Sequence, residues 1–305
     1  MPGSEFKFRA DDGVALLGRR WLPEGRPRAV VQIAHGLAEH SARYARLAGA
    51  LNAAGYAVYA NDHRGHGPSS APGDLGHFAD ADGWTKTIRD LWTFNRQIAA
   101  EQPGVPIVFL GHSMGSFLGQ AFVAEHADAL AAVAYSGSNG APPPIATLGR
   151  LIARAERVRL GKRGKSKLLK QMWFGAFNKP FEPGRTEFEW LSRDPKEVDA
   201  YVADPLCGFP FTNQLAIDLL DALPGLIAPS RLARIRKDLP IYVFSGERDP
   251  VGSNIQGLID ALKKAGFAKL TTRIYPDARH DTLNETNRGE VMRDLIGWLD
   301  GVVGK

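Results

Sequence analysis

One pentapeptide carries the sharpest chemical signal in the chain. In Gly111-His112-Ser113-Met114-Gly115 a serine has a glycine two residues away on either side. The apolar run Ile107–Leu110 ends just before it, and Ser116–His126 follows with the composition of a helix. A serine on so tight a strand-to-helix turn holds a strained backbone, which is why its neighbours Gly111 and Gly115 must be small. The start of the following helix offers free amide hydrogens and a partial positive charge to a negative oxygen developing nearby. That layout suits nucleophilic attack by Ser113 on a carbonyl carbon.

A serine hydroxyl is a poor nucleophile until a base removes its proton. Of the eight histidines (35, 40, 63, 66, 77, 112, 126 and 280), only His280 lies far downstream of Ser113. It follows the expected strand Leu270–Tyr275 and precedes the last helical pattern. His126 sits at the end of the helix after the serine, too close to fold back on it. With a nucleophile on such a turn, the order along the chain is serine, acid, histidine. Asp249 is therefore the expected acid: its loop, Ser245-Gly246-Glu247-Arg248-Asp249-Pro250, follows the buried run Ile241–Phe244. Glu247 is the nearest rival, while Asp277 and Asp281 belong to the histidine's own loop. The carboxylate would fix the imidazole tautomer and stabilise the imidazolium.

Two amide donors are needed for the oxyanion. Met114 N–H, immediately after the serine, is one. Leu37 N–H is the other nominee, from His35-Gly36-Leu37-Ala38-Glu39-His40 after the run Ala29–Ala34. Gly36 would let the backbone approach substrate, and His35 and His40 are expected to orient this loop.

These residues must be positioned by the elements between them. Ala29–Ala34, Tyr56–Ala60, Ile107–Leu110, Leu130–Tyr135 and Ile241–Phe244 are apolar at successive positions, as in parallel strands buried on both faces. Helical stripes separate them, for example Trp84, Ile88, Leu91, Ile98 and, later, Ile255, Leu258, Ile259, Leu262; Val291, Leu295, Trp298 and Leu299 form the last. Glu5–Arg9 and Val14–Trp21 read as an opening hairpin around Asp11-Asp12-Gly13. The fold class is α/β: a mostly parallel twisted sheet with helices on both faces. The alternation stops at Gly140-Ala-Pro-Pro-Pro144 and resumes at Leu239-Pro240. Residues 1–140 and 239–305 are thus expected to form the core, with 141–238 inserted as a helical cap rich in aromatics.

Composition excludes several classes. With 44% hydrophobic and 23% charged residues over 305 positions, the chain is neither disordered nor fibrous. No apolar run approaches the roughly 18–20 residues that span a bilayer, and the N-terminus lacks the layout of a signal peptide. The single cysteine, Cys207, cannot close an internal disulfide. A cytoplasmic setting is expected. The net charge of +5 is uneven: residues 150–170 hold nine basic side chains against Glu156. No nucleic-acid module accompanies them, so a solvated helix face is the first expectation and contact with an anionic interface the second.

With these residues in place, the chain resembles the α/β-hydrolase superfamily and, within it, the monoacylglycerol lipase and lysophospholipase branch. The likeness is carried by His35–Tyr44 (HGLAEHSARY), Asn61–Ser70 (NDHRGHGPSS), Gly111–Ser116 (GHSMGS), the SGERDP acid loop and the single late histidine. Ala38 and Ala42 stand where that branch has glycines, and His63 separates Asp62 from Arg64. Both nominated donors are backbone groups and survive these departures. The resemblance implies ester hydrolysis through an acyl-enzyme, a mobile cap over an apolar acyl channel, a small-molecule or lipid ester as substrate (including insoluble or polymeric ones), and neither cofactor nor metal. Peptidase or thioesterase use of the same three residues is the alternative, and a non-catalytic ligand-binding role the next. Asp62, His63 and His66 lack a further ligand pair at metal-site spacing. Gly65-x-Gly67 lacks the third glycine of a dinucleotide site.

Overall fold

The computed structural model describes residues 3–71, 73–143 and 145–304; the start of the chain and Pro144, at the end of the proline run, lie outside them. Eight strands form one sheet: β1 Ser4–Arg9, β2 Ala15–Trp21, β3 Val30–Ala34, β4 Ala57–Asn61, β5 Ile107–His112, β6 Ala132–Ser136, β7 Ile241–Gly246 and β8 Leu270–Tyr275. Their order is β1-β2-β4-β3-β5-β6-β7-β8. The first two are antiparallel to each other and β2 is antiparallel to β4. From β4 to β8 every pairing is parallel.

The expected apolar runs are all strands, and β3 to β7 are buried along their whole length because helices cover both faces. Hydropathy misplaces their ends. β5 runs on through Gly111-His112 and β7 through Ser245-Gly246, since the ladder continues into polar residues that the neighbouring strands enclose. Strand β8 matches its expected span but is mostly exposed, as befits a sheet edge.

The helices are α1 Ala45–Ala53, α2 Gly83–Glu101, α3 Met114–His126, α4 Ile145–Leu160, α5 Lys167–Lys170, α6 Ala176–Asn178, α7 Pro195–Ala203, α8 Asn213–Ala222, α9 Pro229–Leu232, α10 Ile255–Lys264 and α11 Arg288–Val303. On one face, Leu47 and Leu51 of α1 and Val291, Leu295 and Leu299 of α11 pack against the sheet. The other face receives Ile88, Leu91 and Phe94 of α2, Phe122 of α3 and Leu258 of α10. Helix α3 starts two residues before its expected position, directly after Ser113, because the turn at the serine is a single residue wide.

Among the described residues, the segment between β6 and β7 contains helices α4 to α9 and no strand. Its aromatic residues largely pack on one another: Phe174 contacts Phe188, Trp190 and Phe211, and Phe188 contacts Tyr201. These join the same apolar cluster as the α2–α3 face of the core. The basic run is mostly engaged. Arg150 and Arg154 meet Asp221, Arg159 meets Glu156, and Lys170 meets Glu187. Arg163 crosses the surface to Asp74 (2.7 Å) and Asp80 (3.0 Å), which precede α2. Much of the charge is therefore spent within the molecule, some of it joining the insertion to the core.

Candidate active site

Ser113 occupies the one-residue corner between β5 and α3 with φ 51° and ψ −121°, a left-handed conformation unusual for a side-chain-bearing residue. Its amide donates to Ser136 O at the end of β6 (2.9 Å), tying the corner to the neighbouring strand. A β-carbon on Gly115 would overlap the Ala34 carbonyl, and one on Gly111 would press on Gly115 O. The two glycines thus let α3 start hard against β3 and β5, the close packing their spacing implied.

His280 and Asp249 arrive from loops after β8 and β7. Nδ1 of His280 lies 2.8 Å from Oδ1 of Asp249, with both side chains almost wholly buried. Asp249 is held from three further directions: Ser245 Oγ donates to Oδ2 (2.7 Å), Val251 N–H donates to Oδ1 (2.8 Å), and the loop's own amide closes on Gly246 O. Burial opposes the Asp249 charge, but the His280 imidazolium and these donors prevail and hold its pKa below the usual carboxylate value. Burial likewise opposes a charged His280, and the Asp249 carboxylate overcomes it, leaving the imidazole pKa above its ordinary value. The rival acids are placed elsewhere. Glu247 accepts from Asp277 N–H (3.1 Å), while Asp281 pairs with Arg43 (2.8 Å).

The histidine reaches the corner through its neighbours. Its ring packs on His112, with centroids 4.8 Å apart, and His112 Nδ1 meets Ser136 Oγ at 3.2 Å. A β-carbon on Gly137 would come within 2.8 Å of the His280 ring, so glycine there admits the imidazole. Ser113 Oγ makes no hydrogen bond among the described residues. Contacts between nucleophile and base are often open until substrate is bound.

Leu37 and Met114 amides likewise donate to no protein acceptor among the described residues. The loop bearing Leu37 is fixed from below. Gly36 N–H donates to Glu39 Oε1 (2.5 Å), Tyr44 OH donates to the same oxygen (2.9 Å), and Arg43 pairs with both Glu39 and Asp281. Burial works against the Glu39 charge, but adjacent Arg43 keeps its pKa below the ordinary value. His35 donates from Nδ1 to Gly36 O (2.8 Å), and its Nε2 accepts His63 N–H (3.0 Å). Burial drives the pKa values of His35, His63 and His66 down, the last two to about 3 and about 4, so all three stay neutral scaffolding. His40 instead turns to the insertion, with Nε2 2.9 Å from Asp204 Oδ2.

Sequence spacing missed the insertion's contacts with the histidine loop. His280 N–H donates to Trp190 O (3.3 Å), Asp281 N–H donates to Leu191 O (2.8 Å), and the Trp190 ring lies 5.1 Å from that of His280. Arg279 donates to Glu189 O and to Ser192 O (3.0 Å), and Arg193 pairs with buried Glu285 (3.0 Å). No periodic signal links residues some 90 positions apart.

The family model described as serine aminopeptidase, S33, matches residues 25–287. The chain is similar to the monoacylglycerol lipase of Mycolicibacterium smegmatis, 30% identical and covering 97% of this chain and 96% of that one. It is also 30% identical to the monoglyceride lipase of Mus musculus, over 94% of this chain and 88% of the relative. A thermostable carboxyl esterase from Bacillus coagulans, solved with glycerol, superposes with a TM-score of 0.90 at 26% identity over the full length of both chains. The monoglyceride lipase of Saccharomyces cerevisiae shares the fold, with a TM-score of 0.79 at 18% identity over 100% of this chain and 97% of that one. The chain therefore belongs to the serine aminopeptidase S33 family of the α/β-hydrolase superfamily, within its monoacylglycerol lipase-like branch.

Proposed function

We propose that the protein hydrolyses carboxylic esters, monoacylglycerol-like lipid esters foremost, with Ser113, His280 and Asp249 as its catalytic triad. The carrying observation is the buried His280–Asp249 pair at 2.8 Å, lodged against His112 beside the strained Ser113 corner. In this reading His280 Nε2 takes the Ser113 proton as Oγ bonds to the ester carbon. The carbonyl oxygen becomes an oxyanion held by Leu37 and Met114 amides. The imidazolium then gives the proton to the departing alcohol as the C–O bond breaks, leaving acyl-Ser113. Water repeats the sequence, releasing the acid and restoring the hydroxyl. Asp249 keeps the imidazole oriented and balances its transient charge. These steps use protein groups and water alone.

Residues 141–238 act, in this proposal, as a cap that selects the substrate. Burial of an acyl chain is worth roughly 0.8 kcal/mol per methylene, so a chain-length series of soluble and aggregated esters reads the depth of its enclosure. Helix α4 and its surroundings leave Ile145, Leu148, Leu151 and Val158 exposed, from 50% to 86%. With the neighbouring cations they suit contact with an anionic lipid surface. Since several of those cations are already paired, rates on anionic aggregates should fall only modestly with salt. The test of the whole reading is labelling by a fluorophosphonate serine probe: modification of Ser113, with loss of aryl-ester turnover in step, supports it. Modification of another serine, or turnover surviving full labelling, refutes it.

A further inference from the structure

The core and the insertion meet again beside Arg43, around an open cavity of about 360 Å³ whose walls include His40, Arg43, Arg46, Glu197, Asp204 and Cys207. Three side chains of different chemistry converge there. One ring nitrogen of His40, one carboxylate oxygen of Asp204 and Cys207 Sγ all lie within 4.8 Å of one another. His40 is more than nine-tenths buried, and its Nδ1 has no hydrogen-bond partner. Asp204 turns one oxygen to Leu206 N–H (2.8 Å) and the other to His40 Nε2 (2.9 Å).

The charge around this cluster is favourable to a cation. Both nearby guanidinium groups are already matched: Arg43 by Glu39 and Asp281, and Arg46 by Glu197 at 2.6 Å. What remains is the Asp204 carboxylate. An imidazole, a carboxylate and a thiolate are each ligands that zinc accepts.

We propose that His40, Asp204 and Cys207 form a binding site for a zinc-class transition-metal ion that latches the helical insertion to the loop carrying Leu37. Binding replaces the Cys207 S–H bond by a metal–sulfur bond and releases the proton to water; no electron is transferred. The cavity supplies water as a fourth ligand. Bond lengths of about 2.0–2.3 Å at a tetrahedral centre place ligand atoms roughly 3.3–3.7 Å apart, so the His40–Asp204 contact at 2.9 Å opens slightly to admit the ion while Cys207 Sγ, within 4.8 Å of both, closes on it. The position of the turn that carries Asp204 and Cys207 matters. Gly208 N–H donates to Ala38 O (2.9 Å), and Tyr201 OH donates to the same oxygen (2.8 Å). A metal ion would therefore reinforce an existing seam between insertion and oxyanion loop. The site lies outside the reaction chemistry, and its existence does not depend on the ester-hydrolase reading.

Cobalt(II) is the decisive probe, because Cys207 is the chain's only cysteine and a thiolate-to-cobalt charge-transfer band can have no other source. Titration of the full chain with Co²⁺ should raise that band to saturation at one equivalent, and Zn²⁺ should abolish it. Cys207→Ser should lack the band, and Asp204→Asn should bind Co²⁺ at least about tenfold more weakly while keeping its circular dichroism. If Asp204→Asn fails to fold, Asp204→Ser serves in its place. Absence of a band in the unmodified protein, or an affinity unmoved by the Asp204 variants, overturns the site. A second arm tests the latch: Zn²⁺ should slow aryl-ester turnover in the unmodified protein but not in Cys207→Ser, whose metal-free rate should be unchanged. Equal slowing of both would refute the link between this site and the insertion. Turnover absent from every variant, with the cobalt band intact, would reject the proposed activity and leave the metal site standing.

Discussion

Two histidine–carboxylate pairs of almost equal length sit in different regions, His280–Asp249 at 2.8 Å and His40–Asp204 at 2.9 Å. The first joins two loops that leave adjacent strands of one sheet, and its side chains are 2% and 0% exposed. The second spans the seam between core and insertion, and the Asp204 side chain is 33% exposed. Length alone does not tell them apart; enclosure does. Around Asp249, a serine hydroxyl and a backbone amide complete the coordination of the buried carboxylate. At Asp204 the solvent competes, so the pair is a contact that can open. Removing one partner of a buried ion pair costs about 3–5 kcal/mol, against roughly 0–1 kcal/mol for an exposed one.

The contrast can be tested first where the effect is largest. Ser113→Ala should reduce aryl-ester turnover by about 10⁴–10⁶-fold with an unchanged melting profile. Asp249→Asn should lower it by about 10²–10⁴-fold, because the imidazole loses its preferred tautomer. Glu247→Gln should stay within a few-fold of the parent, and a greater loss there than at Asp249 would reassign the acid. Next comes Glu39→Ala, which frees Gly36 N–H and strips one of the two carboxylates from Arg43. A fall in kcat of about 10–10²-fold with little change in KM is expected, since the loop's donor acts on the transition state; an effect confined to KM would contradict that role.

A pH series sharpens the same contrast. The base must be neutral to accept a proton, so the raised pKa of His280 places the acidic limb of kcat/KM above the ordinary 6.5, and Asp249→Asn should move it downward. For stability the signs oppose each other. The raised His280 pKa stabilises the fold below about 6.5, and this contribution fades as pH rises through the folded value. The lowered Asp249 pKa stabilises above about 3.8, and its contribution fades as pH falls through the folded value. Thermal melts should show the pair contributing most between these limits. The smallest effect belongs to the open seam: Asp204→Asn in metal-free buffer should shift the melting temperature by less than about 3 °C, and turnover should persist in excess chelator. A chelator-induced loss restored only by a divalent ion would place a metal in the chemistry itself.

Legibility followed the range over which each interaction acts. The central strands could be read because burial on both faces leaves continuous apolar runs, and Ser113 because its turn demands glycines at fixed spacing. His280 and Asp249 could be inferred from chain order, although nothing local distinguishes Asp249 from Glu247 except the hydroxyl, amide and imidazole that surround it once folded. Arg43 with Asp281, His40 with Asp204, and His280 with Trp190 O lie 238, 164 and 90 positions apart. No periodicity reports such meetings. The basic run is the solvated face its composition suggested, with Arg163 54% exposed, but composition gave no sign that Arg163 would pair with Asp74 and Asp80 some 80–90 positions away.

The register of β3 on β5 has a consequence of its own. Ala34 pairs with Gly111 across these parallel neighbours, and Leu37 and Met114 each lie three residues beyond that pair. The two amides thus stand at equal counts from a common rung, beyond the ends of strands whose separation of about 4.8 Å is set by backbone hydrogen bonding. Side chains do not choose that interval, so it works as a fixed gauge. The sheet thus sets where the two segments start, and the Glu39 carboxylate that holds Gly36 N–H sets how the Leu37 loop finishes.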